Sequence, residues 1–482
     1  MGSNKVSIFG IAGTRLLKRM LVVPSEQPAL VACSVLYWFW QLALFQTPSA
    51  FFYVEGGAPL GTTLYFMVAC MVVYGIGWLR SDRANIVAKT NACRIAMIAC
   101  MALGGVLFVL VRTWLASSPI SIGIGIASEL LVGVGSALFI VELGRVMAQL
   151  GPLYALIAGT FGVMGGALLY LLCFALPQVA SLILLAFAGC AAAVLLEKTV
   201  SQFSRARLYS SGSSESLSAP VTFVVAAALQ GVAFGVMSMV LPQFGVTGPT
   251  LCVVAFLLGA CVAGVTALLF GMDFNHLVFE VGFGFLALGF MVLGCFAEYV
   301  WAGSLLLMMG YCFVYVVVTC VISYFSYCVG MDATRIVSLA TFLLVLGQLA
   351  GRCISAGALF AGMDVSTLAS VLACVLPIIA LILVCRDPSS VDWGIARPDM
   401  GDDENALFYR AFSSVYRLTP REVEVLQLLA RGRNKRHISK ELGVSEETIK
   451  THIGNVYRKT MVHSQQELID LVEGERAKRA SL

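Results

Sequence analysis

Apolar residues run along most of this chain in long unbroken blocks. Crossing the hydrocarbon core of a bilayer takes about 20 mostly apolar residues in a helix. Twelve blocks approach or exceed that length: 28–47, 60–79, 95–113, 120–141, 152–176, 179–196, 220–243, 250–271, 277–297, 301–328, 337–360 and 365–385. Charge, Pro or Gly clusters bound each of them. Past Arg386 the pattern changes, and apolar positions recur at helical spacing in a polar background. Val423, Leu426 and Leu429 form one stripe, Ile438 and Leu442 a second, Ile449, Ile453 and Val456 a third, and Leu468, Ile469 and Leu471 a fourth. The pattern predicts an all-α chain: a polytopic membrane helix bundle of about 12 spans, arranged 6+6, followed by a small four-helix domain.

Composition sharpens this division. Of 482 residues, 59% are hydrophobic and only 12% charged, against about 25% charged in ordinary soluble domains. A wholly soluble enzyme and an intrinsically disordered chain are both excluded. The 15 Cys are scattered through apolar blocks without Cys-x-x-Cys or zinc-ligand spacing, which argues for small packing residues rather than metal sites or disulfides. No Walker-type loop occurs. We expect no cofactor and no enzymatic activity. About half of the charged side chains lie in residues 386–482. The expected organisation is a cytoplasmic N-terminal segment 1–27, a membrane domain 28–385, a linker 386–417 and a soluble domain 418–482. Segment 1–27 lacks a long apolar core and a small-residue cleavage site, so no signal peptide is expected. Ile8, Phe9, Ile11, Leu16 and Leu17 beside Arg15, Lys18 and Arg19 could form an amphipathic start lying on the lipid surface.

Basic residues in the short connections set orientation. Arg15, Lys18 and Arg19; Arg80, Arg83, Lys89 and Arg94; Arg145; Lys198, Arg205 and Arg207; and Arg335 fall on one side, against Arg112 on the other. Both termini are therefore expected in the cytoplasm, with the protein multi-pass in the cell inner membrane. The longest internal connection, 197–219, is polar and basic and follows the sixth block. Six spans, a long loop and six more spans resemble the major facilitator superfamily over about three quarters of the chain. The stretch Gly75-Ile-Gly77-Trp-Leu-Arg80-Ser-Asp82-Arg83 is similar to that family's Gly-rich loop with an Asp and basic residues, without its second basic cluster. Its counterpart Gly271-Met-Asp273-Phe-Asn-His276 is weaker. Gln41-Leu-Ala-Leu-Phe45 before Pro48 and Gln230-Gly-Val-Ala-Phe234 before Pro242 share the Gln-to-Phe spacing expected of a parallel repeat that turns a Gln toward a central cavity in each half.

Ionisable and polar groups inside spans are costly and mark cavities or internal partners. Glu129, Arg352, Gln348, Gln41, Gln230 and Trp38 are the candidate ligand residues, with Tyr37, Trp40, Tyr311 and Tyr315 as possible aromatic walls. Glu280 is a weaker candidate. Internal ion pairs that fix helix packing are the alternative. Gly162, Gly165 and Gly166 read as close helix packing.

The four tail helices carry explicit start signals. Thr419, Pro420 and Glu422 form a capping box with Pro at the first helical position. Gly432 ends that helix, Gly443-Val444 makes a tight turn, Ser445 caps the third helix, and Ser464 with Glu467 repeats the capping-box spacing. Two helices joined by a tight turn make a helix-turn-helix. Just upstream, Leu407, Phe408, Ala411, Phe412, Val415 and Tyr416 have the spacing of a short helix that packs on this domain or contacts the membrane domain.

The opening Leu418-Thr-Pro-Arg-Glu422, the core Ser445-x-x-Thr448-Ile-Lys450-x-His452 and the following Lys459 closely resemble the DNA-binding domain of LuxR-type regulators. The resemblance implies that helix 445–459 enters the major groove of double-stranded DNA. Lys450 and Thr451 would then meet base edges, while Thr448 and Lys459 approach phosphates, with Asn455 on the same helix. Lys435 and Arg436, with Arg431 and Arg433, would lie near the backbone or form a solvated face. Three positions depart from the family pattern: Gly454 offers no side chain, Met461 stands where Gly is usual, and His437 replaces an acidic or polar residue.

The expected function is a membrane-embedded one-component transcriptional regulator. Its spans would sense an unknown small-molecule ligand within membrane lipid, and its tail would bind DNA as a homodimer and meet RNA polymerase. A secondary transporter with a regulatory DNA-binding tail is the alternative; a constitutive regulator merely anchored by its spans would not need polar groups inside them.

Overall fold

The computed structural model describes residues 23–46, 63–114, 120–173, 175–209, 221–241, 249–270, 276–327, 331–386, 418–430, 435–442 and 444–480, together with Tyr409, Phe412, Ser413 and Tyr416. The chain forms two compact units, Met1–Ala396 and Arg397–Leu482. Every regular element among the described residues is helical.

The first unit contains α1 (Pro28–Gln41), α2 (Leu64–Leu79), α3 (Ser81–Ala88), α4 (Asn91–Thr113), α5 (Ser121–Leu150), α6 (Pro152–Cys173) and α7 (Gln178–Val200). A single turn, Arg205–Leu208, follows before α8 (Val221–Val240), α9 (Pro249–Phe270), α10 (Phe283–Cys295), α11 (Val300–Tyr327), α12 (Ala333–Phe360) and α13 (Val365–Arg386). Each of the twelve apolar blocks thus contains a helix. Among the described residues, nine helices are long and apolar enough to cross a membrane; α2 passes that test only together with α3, from which it is bent by 107°. The Gly75–Arg83 stretch is therefore no loop: the chain turns sharply at Arg80 and continues as polar α3. Two expected connections also move inside helices. Arg94 lies in the first turn of α4, and Arg145 is buried near the end of α5. The amphipathic start at 8–19 lies outside the described residues.

Helix pairing reveals the internal repeat. The first half packs α1 on α6, α2 on α5, and α4 on both α5 and α7; the second half repeats these as α8 on α12, α9 on α11, and α10 on both α11 and α13. Across the halves, α2 meets α12 and α9 meets α6, again as equivalent pairs. Lipid tails supply no hydrophobic drive between helices, so close backbone approach through small residues holds such pairs. A Cβ on Gly231 would stand 2.2 Å from the Leu344 carbonyl oxygen, and one on Gly347 2.3 Å from that of Ala228. In the first half, Gly166 meets the Phe39 backbone at 2.7 Å in the same sense.

The second unit comprises α14 (Pro420–Ala430), α15 (Lys435–Leu442), α16 (Glu446–Thr460) and α17 (Gln465–Ala480). Val425, Leu426, Leu429, Ile438, Ile449, Val456 and Leu468 fill its core. Tyr409 and Phe412 are buried in the same core, and the Phe412 and Tyr416 rings lie 4.5 Å apart. The folded domain therefore begins upstream of Leu418, because aromatic residues assigned to the linker complete its apolar interior. The rest of that linker, 387–408, lies outside the described residues.

Candidate functional site

A cavity of about 360 Å³ sits between the two halves of the first unit. Its walls come from α1, α2 and α5 on one side and α8, α11 and α12 on the other. Four of the expected ligand residues line it: Trp38 and Gln41 from α1, and Gln348 and Arg352 from α12. Gln348 and Arg352 share a helix face one turn apart. Arg352 is 9% exposed and bonds the Thr63 hydroxyl through Nη1 at 2.5 Å, while its Nε has no partner among the described residues. Gln41 donates to Ser136 Oγ at 2.8 Å and to the Tyr37 hydroxyl at 3.1 Å, and the two hydroxyls stand 2.7 Å apart. Trp38 meets Tyr315 edge-on at 4.9 Å between ring centroids.

Four expected residues go elsewhere. Glu129 is buried in α5 but does not line this cavity. Gln230, although related to Gln41 by the repeat, donates to the Tyr311 carbonyl at 3.2 Å and borders a separate space of about 50 Å³. A buried amide that satisfies a helix carbonyl serves packing, so the paired-glutamine expectation holds on one side only. Glu280 is exposed in a π-helical turn, His276–Gly282. Trp40 is fully buried against Gly189 rather than facing the cavity. Thr63, Tyr74 and Ser136, which line the cavity, had no sequence signal, since hydroxyl residues are cheap to place inside spans.

At the Arg80 end of the bundle a polar network joins the halves. Asn85 of α3 donates to the Asp332 carboxylate at 3.4 Å, and the Thr334 hydroxyl bonds Asn85 Oδ1. Arg145 Nε donates to Thr334 Oγ1 at 2.9 Å and its guanidinium pairs with Glu142. The Tyr209 hydroxyl, from the chain joining the halves, donates to the other Glu142 oxygen. Burial, reinforced by Glu142, pushes the Tyr209 phenol up. The i, i+3 spacing of Glu142 and Arg145 was the available sequence signal for this cluster.

In the second unit, local capping positions the exposed helix. Glu422 N–H donates to Thr419 Oγ1 at 3.3 Å and Thr419 N–H to Glu422 Oε2 at 2.7 Å, closing the capping box. Ser445 Oγ accepts from Thr448 N–H at 3.2 Å and so starts α16. One face of α16 buries Ile449 and Val456, leaving Thr448, Lys450 and Thr451 exposed. Lys450 pairs with Glu447 at 3.4 Å, with both side chains mostly in solvent. Asn455 accepts from Arg458 at 3.0 Å. The Lys459 ammonium lies 2.6 Å from Glu422, and its side chain is about three-quarters buried. Partial burial pushes the Glu422 carboxyl up, but Lys459 and the Thr419 N–H outweigh it and hold it below the usual range. Lys435 is exposed at the start of α15; the Arg436 side chain, and Arg431 and Arg433, lie outside the described residues. Gly454 faces open space, and Met461 takes the left-handed conformation (φ 55°) that ends α16.

Comparison with known proteins gives each unit a class. Residues 416–472 match the family described as "Bacterial regulatory proteins, luxR family". This part of the chain is a LuxR-type helix-turn-helix domain. It is 45% identical over 58 residues to the uncharacterized response regulatory protein YgeK of Escherichia coli, covering 12% of this chain and 40% of that one. It is 46% identical over 52 residues to the transcriptional activator protein CarR of Pectobacterium carotovorum, covering 11% and 21%. The chain thus spans well under half the length of these curated relatives, and the likeness is confined to the tail. The remainder superposes on a bacterial homologue of the iron transporter ferroportin in an outward-facing state, with TM-score 0.52 and 12% identity, over 78% of this chain and 99% of that one. That likeness is one of fold alone; among the described residues, the first unit carries nine helices long and apolar enough to cross a membrane.

Proposed function

We propose that this protein is a membrane-embedded one-component transcriptional regulator. Its transporter-like domain binds a small molecule, and the tail answers by binding DNA differently. The observation that carries this reading is the presence, in one chain, of a polar-and-aromatic cavity between two repeats and a LuxR-type domain with an exposed Lys450-Thr451 face. A ligand shifts such a protein only by binding its two states unequally. The cavity is bounded by both halves, so rocking of one half against the other changes its shape. The Asn85–Asp332 and Arg145–Thr334 contacts are the ties that rocking breaks. The protein lies in the bacterial inner membrane among its lipids, with both termini cytoplasmic, because the tail must reach DNA. Tails pair on a double-stranded operator as a homodimer and contact RNA polymerase. Residues 28–385 sense, and the folded tail from about Tyr409 binds DNA through Lys450, Thr451, Thr448, Asn455 and Lys435, with Lys459 and Arg436 toward the backbone.

The deciding experiment is transcript profiling of a strain lacking the gene, complemented with full-length protein or with Arg352→Gln, with and without candidate metabolites. Full-length protein should restore a metabolite-dependent response that Arg352→Gln fails to restore at equal membrane abundance. A response identical for both proteins would remove the cavity from sensing.

The facilitator fold favours one second reading, a working transporter with a regulatory tail. Uptake of the inducing metabolite into cells or vesicles, lost with the protein, would select it.

A further inference from the structure

Resting on the sensor reading above, the composition of the cavity wall identifies the chemical class of its ligand. Among the described residues lining the space, Arg352 carries the single ionisable charge, and no Asp, Glu, Lys or His faces it. Arg352 as a residue is nine-tenths buried; its guanidinium meets the neutral Thr63 hydroxyl, and its Nε is unbonded among the described residues. Among the described residues no counter-charge meets this cation, and a desolvated cation left so is costly inside a membrane domain. A carboxylate supplies the missing charge, and the planar fork of Arg suits it better than any other common anion short of phosphate.

The rest of the wall selects what is attached to that carboxylate. Tyr37, Trp38, Tyr74, Phe234, Tyr311 and Tyr315 all line the space. Several are already braced against one another: Phe234 and Tyr311 lie 4.2 Å apart and Trp38 and Tyr315 4.9 Å. Flat, braced walls favour a flat ring over a branched or flexible chain, through offset or edge-on ring contacts. A volume of about 360 Å³ is near the lower end of small-molecule sites, roughly 300–1,000 Å³, and limits the guest to one or two rings. A phosphorylated sugar or nucleotide would bring more charge than one Arg balances and more hydroxyls than these walls can satisfy. The Tyr37–Ser136–Gln41 cluster offers one compact hydrogen-bonding point, suited to a ring hydroxyl. We infer that the cavity binds a small aromatic monocarboxylate, and that a ring hydroxyl read by the Ser136 cluster adds to its affinity.

Purified full-length protein in lipid nanodiscs tests this through the fluorescence of its tryptophans, Trp38 standing in the cavity wall. The probes are 4-hydroxyphenylacetate, phenylacetate, 4-hydroxyphenylacetamide, tyramine and hexanoate. The expected result is saturable quenching by 4-hydroxyphenylacetate, with at least tenfold weaker binding of the amide and of hexanoate, and none of tyramine. Arg352→Gln should erase the preference for acid over amide, and Arg352→Lys should restore part of it. Ser136→Ala, a small change outside the charged group, should erase the preference for 4-hydroxyphenylacetate over phenylacetate. Amide or amine binding as tight as the acid, acid binding unchanged in Arg352→Gln, or no binding of either aryl acid would overturn the assignment. An operator-linked reporter separates the two levels of inference. An aryl acid that binds in nanodiscs without moving the reporter defeats sensing and leaves the site. A reporter driven through Arg352 by a non-aromatic compound defeats the ligand class and leaves sensing.

Discussion

Lys459, in the last turn of α16, places its ammonium 2.6 Å from the carboxylate of Glu422, which also closes the capping box at the start of α14. One carboxylate therefore holds the exposed helix to the first helix of the domain. Its pKa is depressed in the fold, so the associated stability is fully present above the unfolded glutamate value of about 4.3 and is lost as pH falls through the lower folded value. Thermal melts of fragment 397–482 from about pH 6 to about pH 3 should show this loss. In Glu422→Gln the acid dependence should flatten, and stability near neutral pH should drop by about 1–2 kcal/mol.

The two lysines of α16 should separate in their effects. Lys450 is mostly in solvent, paired with Glu447, and such surface pairs contribute little. Lys450→Ala should leave the melting temperature unchanged and, by fluorescence anisotropy at fixed salt, cost about 1–3 kcal/mol on the operator with relaxed specificity. Lys459→Ala should lower the melting temperature and weaken binding to all sequences alike. An unaltered operator affinity in Lys450→Ala would take that residue off the interface. Dimerised fragments should bind more tightly than monomeric ones.

Met461 adopts φ 55° at the end of α16 and is 87% exposed. A Cβ-bearing residue pays a steric cost in the left-handed region that glycine avoids. Met461→Gly should stabilise fragment 397–482 by about 1 kcal/mol in urea titration, without altering DNA affinity. Destabilisation would mean that the Met side chain makes contacts that outweigh its backbone strain.

The ties between the halves give a test of signal transmission. Asn85→Cys with Asp332→Cys, joined by a short bifunctional crosslinker, should freeze the reporter at its ligand-free output. The same protein before crosslinking should respond, and fragment 397–482 should bind DNA equally well whichever full-length form it comes from. A crosslinked protein that still responds would exclude movement at this end of the bundle.

Topology is checked by fusions. A periplasm-dependent reporter enzyme placed after Leu482 should be silent, and active when inserted near Glu298 or near Asp364. Activity from the C-terminal fusion would overturn the assignment of the tail to the cytoplasm.

What the sequence by itself determined is what local chemistry controls. Twelve apolar blocks had to become helices, because a backbone in lipid can satisfy its hydrogen bonds only within itself. Thr419, Glu422 and Ser445 start tail helices through bonds three residues away, so spacing alone revealed them. The tertiary structure decided every feature that joins distant segments. Gln41 and Gln230 occupy repeat-related positions in the sequence, yet one faces the cavity and the other a helix carbonyl, because the two halves are packed alike without being identical. Glu129 and Arg352 had equal claims as charges within spans; helix rotation and packing placed only Arg352 in the cavity wall. Arg145 and Lys459 looked like solvent or phosphate charges until packing brought Glu142, Thr334 and Glu422 to them. A charge in a sequence specifies that a partner is needed, but which residue supplies it depends on helix rotation and crossing, which are set by the glycine contacts between α8 and α12 and between α1 and α6.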